Sequence, residues 1–139
     1  MAMLSRQMLY NLARCRFDEA NVLLKNHKPE GAVYLCGYAI ELMLKRKIVQ
    51  LLDWDGYPDS GSEFDGKASF KVHRLDTLLH FSGLEKKLRA DNILYARWQI
   101  ASTWDSEIRY KEIGKVSESE ARDILQASRE VLNYILHAT

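Results

Sequence analysis

Pro29-Glu-Gly-Ala-Val-Tyr-Leu-Cys-Gly-Tyr-Ala-Ile-Glu41-Leu-Met-Leu-Lys45-Arg-Lys-Ile-Val-Gln-Leu-Leu52 is the stretch whose reading decides the fold. From Ala32 to Leu52 it is apolar on nearly every side, and a helix of that kind belongs at the centre of a bundle. Pro29 fits the first turn of such a helix, where its missing N–H costs nothing. Gly31, Ala32, Gly37 and Ala39 keep parts of the helix thin, so a neighbouring helix or a twofold-related copy can come close. A helical Gly costs about 1 kcal/mol against Ala, so close packing is the expected reason for it.

Upstream, Met8, Leu9, Leu12, Cys15, Ala20, Leu23 and Leu24 recur three or four apart, which predicts a first helix over Ser5 to Lys25. Only Asn26, His27 and Lys28 separate it from Pro29, so a tight helical hairpin follows. Downstream, about 53–72 reads as a long loop, because Gly56, Pro58, Asp59, Ser60, Gly61, Ser62, Asp65 and Gly66 are turn formers with few apolar anchors. Leu75, Leu78, Leu79 and Phe81 predict a short third helix from His73, stopped at Gly83. Leu84 onward keeps helical spacing through Trp98 and Trp104 up to Tyr110. Ser117 with Glu120 forms a capping box before a final amphipathic helix that carries Ile124, Leu125, Val131, Leu132 and Ile135. The expected fold is all-α, an antiparallel up-and-down four-helix bundle with an additional short helix, in one domain over residues 1–139. No strand pair is expected.

With 47% hydrophobic and 28% charged residues, the chain has the composition of an ordinary globular domain, which excludes a disordered or fibrous protein. A formal charge of +1 means that nucleic-acid binding would need a local basic patch. Three groups could supply one: Lys45-Arg46-Lys47, Lys86-Lys87 with Arg89, and Arg14 with Arg16. Solvated helix faces explain them equally well, and two of the groups would have to meet in space to hold several phosphates. Trp54, Trp98 and Trp104 could stack bases, although core packing is expected of at least two. Cys15 and Cys36 lie among apolar residues without CxxC spacing and are expected as small buried thiols, with no metal and no cofactor. Met1 to Tyr10 carries Arg6 and Gln7 and no apolar run with a cleavage site, and no stretch has the length of a membrane span; the expected location is cytoplasmic, with no membrane partner.

Three segments together resemble the HEPN family, the higher eukaryote and prokaryote nucleotide-binding helical bundles. Gly31 to Lys45 is similar to the family's second helix, an apolar run carrying one Glu with a Lys four residues later, here Glu41 and Lys45. His73-Arg-Leu75 with Leu78 and Leu79 looks like the His-x-Leu start of helix three, and Arg109-Tyr110 is similar to the Arg-Tyr pair that closes helix four. The resemblance implies a polar or ligand-binding cleft formed by Tyr38, Glu41, Lys45, His73, Arg109 and Tyr110. It further implies a module that binds RNA, a nucleotide or a partner protein, a small nucleotidyltransferase partner, and a place in a prokaryotic toxin-antitoxin or defence system; a homodimer is expected separately, because a small bundle with thin-sided, apolar helices has surface to spare.

Ribonuclease members of the family use an Arg followed after four to six residues by a His. Such a His can move the proton of a 2′-hydroxyl and the Arg can hold developing phosphate charge. Arg74 and His80 match literally and are the catalytic candidates, with Arg109 and His73 as a second pairing. The match departs from the family's pattern, because it lies at the start of helix three while the motif belongs nearer the last third of the domain. A non-catalytic or weakly catalytic module is therefore the leading expectation, with a metal-independent ribonuclease and a structural adaptor docking through the long loop as alternatives. The residues themselves allow a simpler role as well: Glu41, set in the run Ala39 to Leu44, needs a partner, and Lys45 lies one turn away. With Tyr34 and Tyr38 on the same strip, a polar seam through the bundle is expected.

Overall fold

Pro29 does open the longest described helix, and among the described residues the regular structure is helical but for one short strand pair. The computed structural model describes residues 3–58, 74–103 and 116–138. His73, Arg109, Tyr110, Trp104 and most of the expected long loop lie outside the described residues. Within them the helices are α1 (Arg6–Lys25), α2 (Pro29–Leu52), α3 (Leu75–Phe81), α4 (Glu85–Ala90), α5 (Asn92–Ala101) and α6 (Glu118–His137).

Ser5 caps α1 by accepting a hydrogen bond from the Met8 N–H at 3.1 Å, satisfying one of the donors that a helix start leaves open. The turn to α2 is as tight as expected: His27 takes a positive φ of 62°, and the Lys28 N–H reaches back to the Leu23 carbonyl at 2.9 Å. A Cβ built on Gly31 would sit 3.2 Å from Leu23 Cδ1, so at that thin position α1 is the close neighbour. Ala32, Val33, Cys36, Ala39, Ile40, Leu44, Ile48 and Val49 are fully buried, as a central helix requires. α1, α3 and α6 all pack on α2, and α5 packs on α6. The N-cap role of Ser117 holds, its hydroxyl accepting from the Glu120 N–H at 3.0 Å.

Three expectations need correction. The helix expected from Leu84 to Tyr110 is broken at Asp91, whose extended backbone ends α4 while its carboxylate accepts from the Leu94 N–H at 3.0 Å and starts α5. A short polar side chain that bonds its own backbone competes with helix continuation. A strand pair does exist: β1 (Met3–Leu4) and β2 (Tyr57–Pro58) run antiparallel, with Leu4 opposite Tyr57. Gly56 permits that approach, since a Cβ there would lie 2.9 Å from the Leu4 carbonyl oxygen. Finally, Cys36 is buried but Cys15 is exposed, because α1 turns Leu9, Ala13 and Ala20 inward and the Cys15 stripe outward.

Candidate functional site

Lys47 is an unusual occupant of a buried position. It stands on the face of α2 that runs into the core, only 6% exposed, and its ammonium donates to the Ala138 carbonyl at 3.2 Å, just past the end of α6. A carbonyl at a helix C-terminus carries partial negative charge and suits a cation. One carbonyl does not neutralise an ammonium, and what surrounds it is positive. Burial lowers the Lys47 pKa, and the charges of Arg46, Lys87 and Arg6 lower it further.

Those neighbours come from three helices. Arg6 opens α1, Arg46 precedes Lys47 on α2, and Lys87 lies on α4. The charge of Lys87 is thus felt at Lys47, so the groups around 45–47 and 86–89, read from the sequence as separate, lie within electrostatic reach of each other. Among the described residues no ion pair joins Arg6, Arg46, Lys47 or Lys87 to a carboxylate. Arg46 lies 5.6 Å from the centre of the Tyr10 ring, which sets an aromatic side chain beside the cluster. The other basic residues are engaged elsewhere. Arg16 pairs with Glu19 at 2.8 Å, Arg89 pairs with Glu85 at 3.4 Å, and Arg14 shares the Tyr10 ring with Arg46, 5.9 Å from its centre. Four cations with no ion pair to a carboxylate among the described residues attract an anion, and a phosphate with its several acceptor oxygens fits such donors.

No family profile matches the chain, and no curated protein or solved structure is significantly similar to it.

The expected polar seam begins on α2. Glu41 and Lys45 are 4% and 8% exposed and meet at 3.0 Å. Tyr38 and Tyr34, one and two turns earlier, reach the surface. A third member of the seam was not foreseen. Tyr57 is buried, with the Lys45 ammonium 5.0 Å from its ring centre, and burial followed by the Glu41 charge raises its pKa, keeping the phenol neutral. The signal in the sequence was slight: Tyr57 is one of two aromatics, with Trp54, among the turn formers between Asp53 and Gly61.

Arg74 and His80 stand at opposite ends of α3, Arg74 as its N-cap residue and His80 one residue before its end. Five residues lie between them, and six helical steps amount to roughly 9 Å along the axis and about 120° around it by the shorter way. His80 Nδ1 lies 3.0 Å from Glu85 Oε1 and its ring is largely exposed. The hydrogen bond from His80 is the largest of the influences that lower the Glu85 pKa, ahead of Arg89. Trp98 is buried and donates from Nε1 to Asp76 at 3.2 Å, and Trp54 packs against the core, so both are structural.

Proposed function

We propose that this chain is a HEPN-like helical module that binds RNA at the basic cluster Arg6, Arg46, Lys47 and Lys87 and does not cut it. The observation that carries the reading is that the charges of Arg6, Arg46 and Lys87, from α1, α2 and α4, all bear on Lys47, while no ion pair joins these four cations to a carboxylate among the described residues. In a chain of formal charge +1, such a concentration is the local patch that phosphate binding needs. Arg46 and Tyr10 add a planar surface on which an unstacked base could lie.

The absence of cutting is supported by α3, which sets Arg74 and His80 on different faces and engages His80 with Glu85. In this reading the helices form an antiparallel up-and-down bundle, the Glu41 to Lys45 seam fixes helix packing, and the chain works as a homodimer. A small nucleotidyltransferase partner and a role in a prokaryotic toxin-antitoxin or defence system follow from the resemblance.

The test is a titration of a labelled single-stranded RNA with the full chain, followed by fluorescence anisotropy and by gel for RNA length. Replacing the more accessible cations together, Arg6→Gln, Arg46→Gln and Lys87→Gln, is expected to weaken binding by about tenfold or more at low salt, with helicity unchanged. RNA length is expected to stay constant. Unchanged affinity in the triple variant contradicts the site, and RNA shortening that is lost on His80→Ala establishes the ribonuclease alternative instead.

A further inference from the structure

Between α1 and α6, with α2 beneath, opens a cleft of about 310 Å³. Ligand sites run from roughly 300 Å³ upward, so this one suits a single ring system rather than a larger molecule. Met43 and Leu132 are buried at its base and make that part apolar. The rim is polar: Arg14 and Asp18 border it from α1, Arg129 and Asn133 from α6, and all four are exposed. Arg129 lies 5.2 Å from the centre of the Phe17 ring, and among the described residues no ion pair joins Arg14 or Arg129 to a carboxylate.

Tyr10 also borders the cleft, and its ring carries Arg14 at 5.9 Å and Arg46 at 5.6 Å. Arg46 belongs to the basic cluster, so the cleft opens beside the cations assigned to phosphate.

We propose that this cleft receives one unstacked base of the bound single strand and selects a base that carries an exocyclic amino group. The inference rests on the RNA reading and adds to it how the strand is told apart by sequence. The apolar base of the cleft takes the ring, and the Arg129 guanidinium held over Phe17 is a cation against which a base can stack. Asp18 makes the selection. A carboxylate accepts hydrogen bonds and donates none, and the Asn133 amide across the cleft adds a further acceptor. The amino group of cytosine, adenine or guanine donates to them. Uracil sets a carbonyl oxygen where cytosine has its amino group, which leaves Asp18 facing another acceptor. The same carboxylate makes the cleft a poor place for a phosphate, so base and backbone are divided between the cleft and the cluster.

The test compares oligocytidylate and oligouridylate of equal length, titrated with the full chain by fluorescence anisotropy. The two strands carry the same phosphate charge and nearly the same base size, so the basic cluster alone does not distinguish them. Oligocytidylate is expected to bind about tenfold more tightly. Asp18→Ala combined with Asn133→Ala, both at exposed positions, is expected to bring the two affinities within about twofold of each other while the helical spectrum is kept. Equal affinities in the parent, a preference for uridylate, or a cytidylate preference that survives the double substitution overturns the inference. If the affinities are equal yet fall in the Arg6, Arg46 and Lys87 variant, the cleft is overturned and the cluster stands; if neither strand binds, both fall together.

Discussion

The Lys47 ammonium lies 3.2 Å from the Ala138 carbonyl, tying the C-terminal half of α2 to the end of α6 with a buried cation. The same residue feels three other positive charges, so a stabilising contact and a destabilising neighbourhood coincide in one side chain.

Lys47→Met separates the two. Losing the bond and the helix-end interaction costs about 1 kcal/mol, while removing a crowded, buried charge returns a comparable amount. Urea unfolding is expected to show stability within about 1 kcal/mol of the parent. RNA affinity should nonetheless fall, which anisotropy measures, because a donor at the centre of the cluster is gone.

Glu41 and Lys45 should behave differently. Removing one member of a buried pair leaves the other charge uncompensated, so Glu41→Ala and Lys45→Met should each destabilise by about 3 kcal/mol. A urea double-mutant cycle is expected to show a coupling on the order of 1 kcal/mol or more. Additive losses would mean that the contact at 3.0 Å does not link their energies.

Alkaline pH should probe the buried acids. Burial pushes the Cys36 thiol from 9.0 up to about 12, against the smaller opposing influences of Ser128 and Arg129. The unfolded chain gives up this proton from near pH 9 while the fold retains it, so the contribution is complete below pH 9 and declines as pH rises from there toward about 12. Tyr57, also raised, adds a decline of the same sign beginning near its ordinary 10.0. The lowered pKa of Lys47 acts with the opposite sign below 10.5, so the informative quantity is the difference between parent and Cys36→Ala, in which Lys47 cancels. Thermal melts should show the parent losing stability faster above pH 9, by up to about 1.4 kcal/mol per pH unit.

Gly56→Ala tests the strand pair. Its Cβ would press on the Leu4 backbone, so either the β1 to β2 contact opens or Tyr57 shifts. A loss of about 1 to 3 kcal/mol is expected, read from urea unfolding.

Much of the helical layout was legible because it is punctuated. Pro29 opens α2, Gly83 with its φ of 78° follows α3, and Ser117 caps α6, each through a local rule that acts regardless of the surroundings. The break at Asp91 was hidden, since Leu88, Ile93 and Leu94 continue helical spacing across it. Cys15 was misjudged because Leu9, Leu12 and Cys15 are all apolar, and periodicity alone does not say which stripe the neighbouring helix covers. The Glu41 and Lys45 pair could be read, being one turn apart on one helix. Tyr57 and the basic cluster could not, because they depend on segments distant in sequence: β2 against α2, and α1 and α4 against Lys47.

The salt dependence of RNA binding tests the central claim most directly. Anisotropy titrations of a single-stranded RNA at several salt concentrations give a slope of log K against log salt, about −0.7 for each phosphate neutralised. The account predicts a slope of about −2 to −3 for the parent chain, shallower by about 0.7 for each cation removed at Arg6, Arg46 or Lys87. Binding that ignores salt, or a slope that the triple variant leaves unchanged, would contradict it.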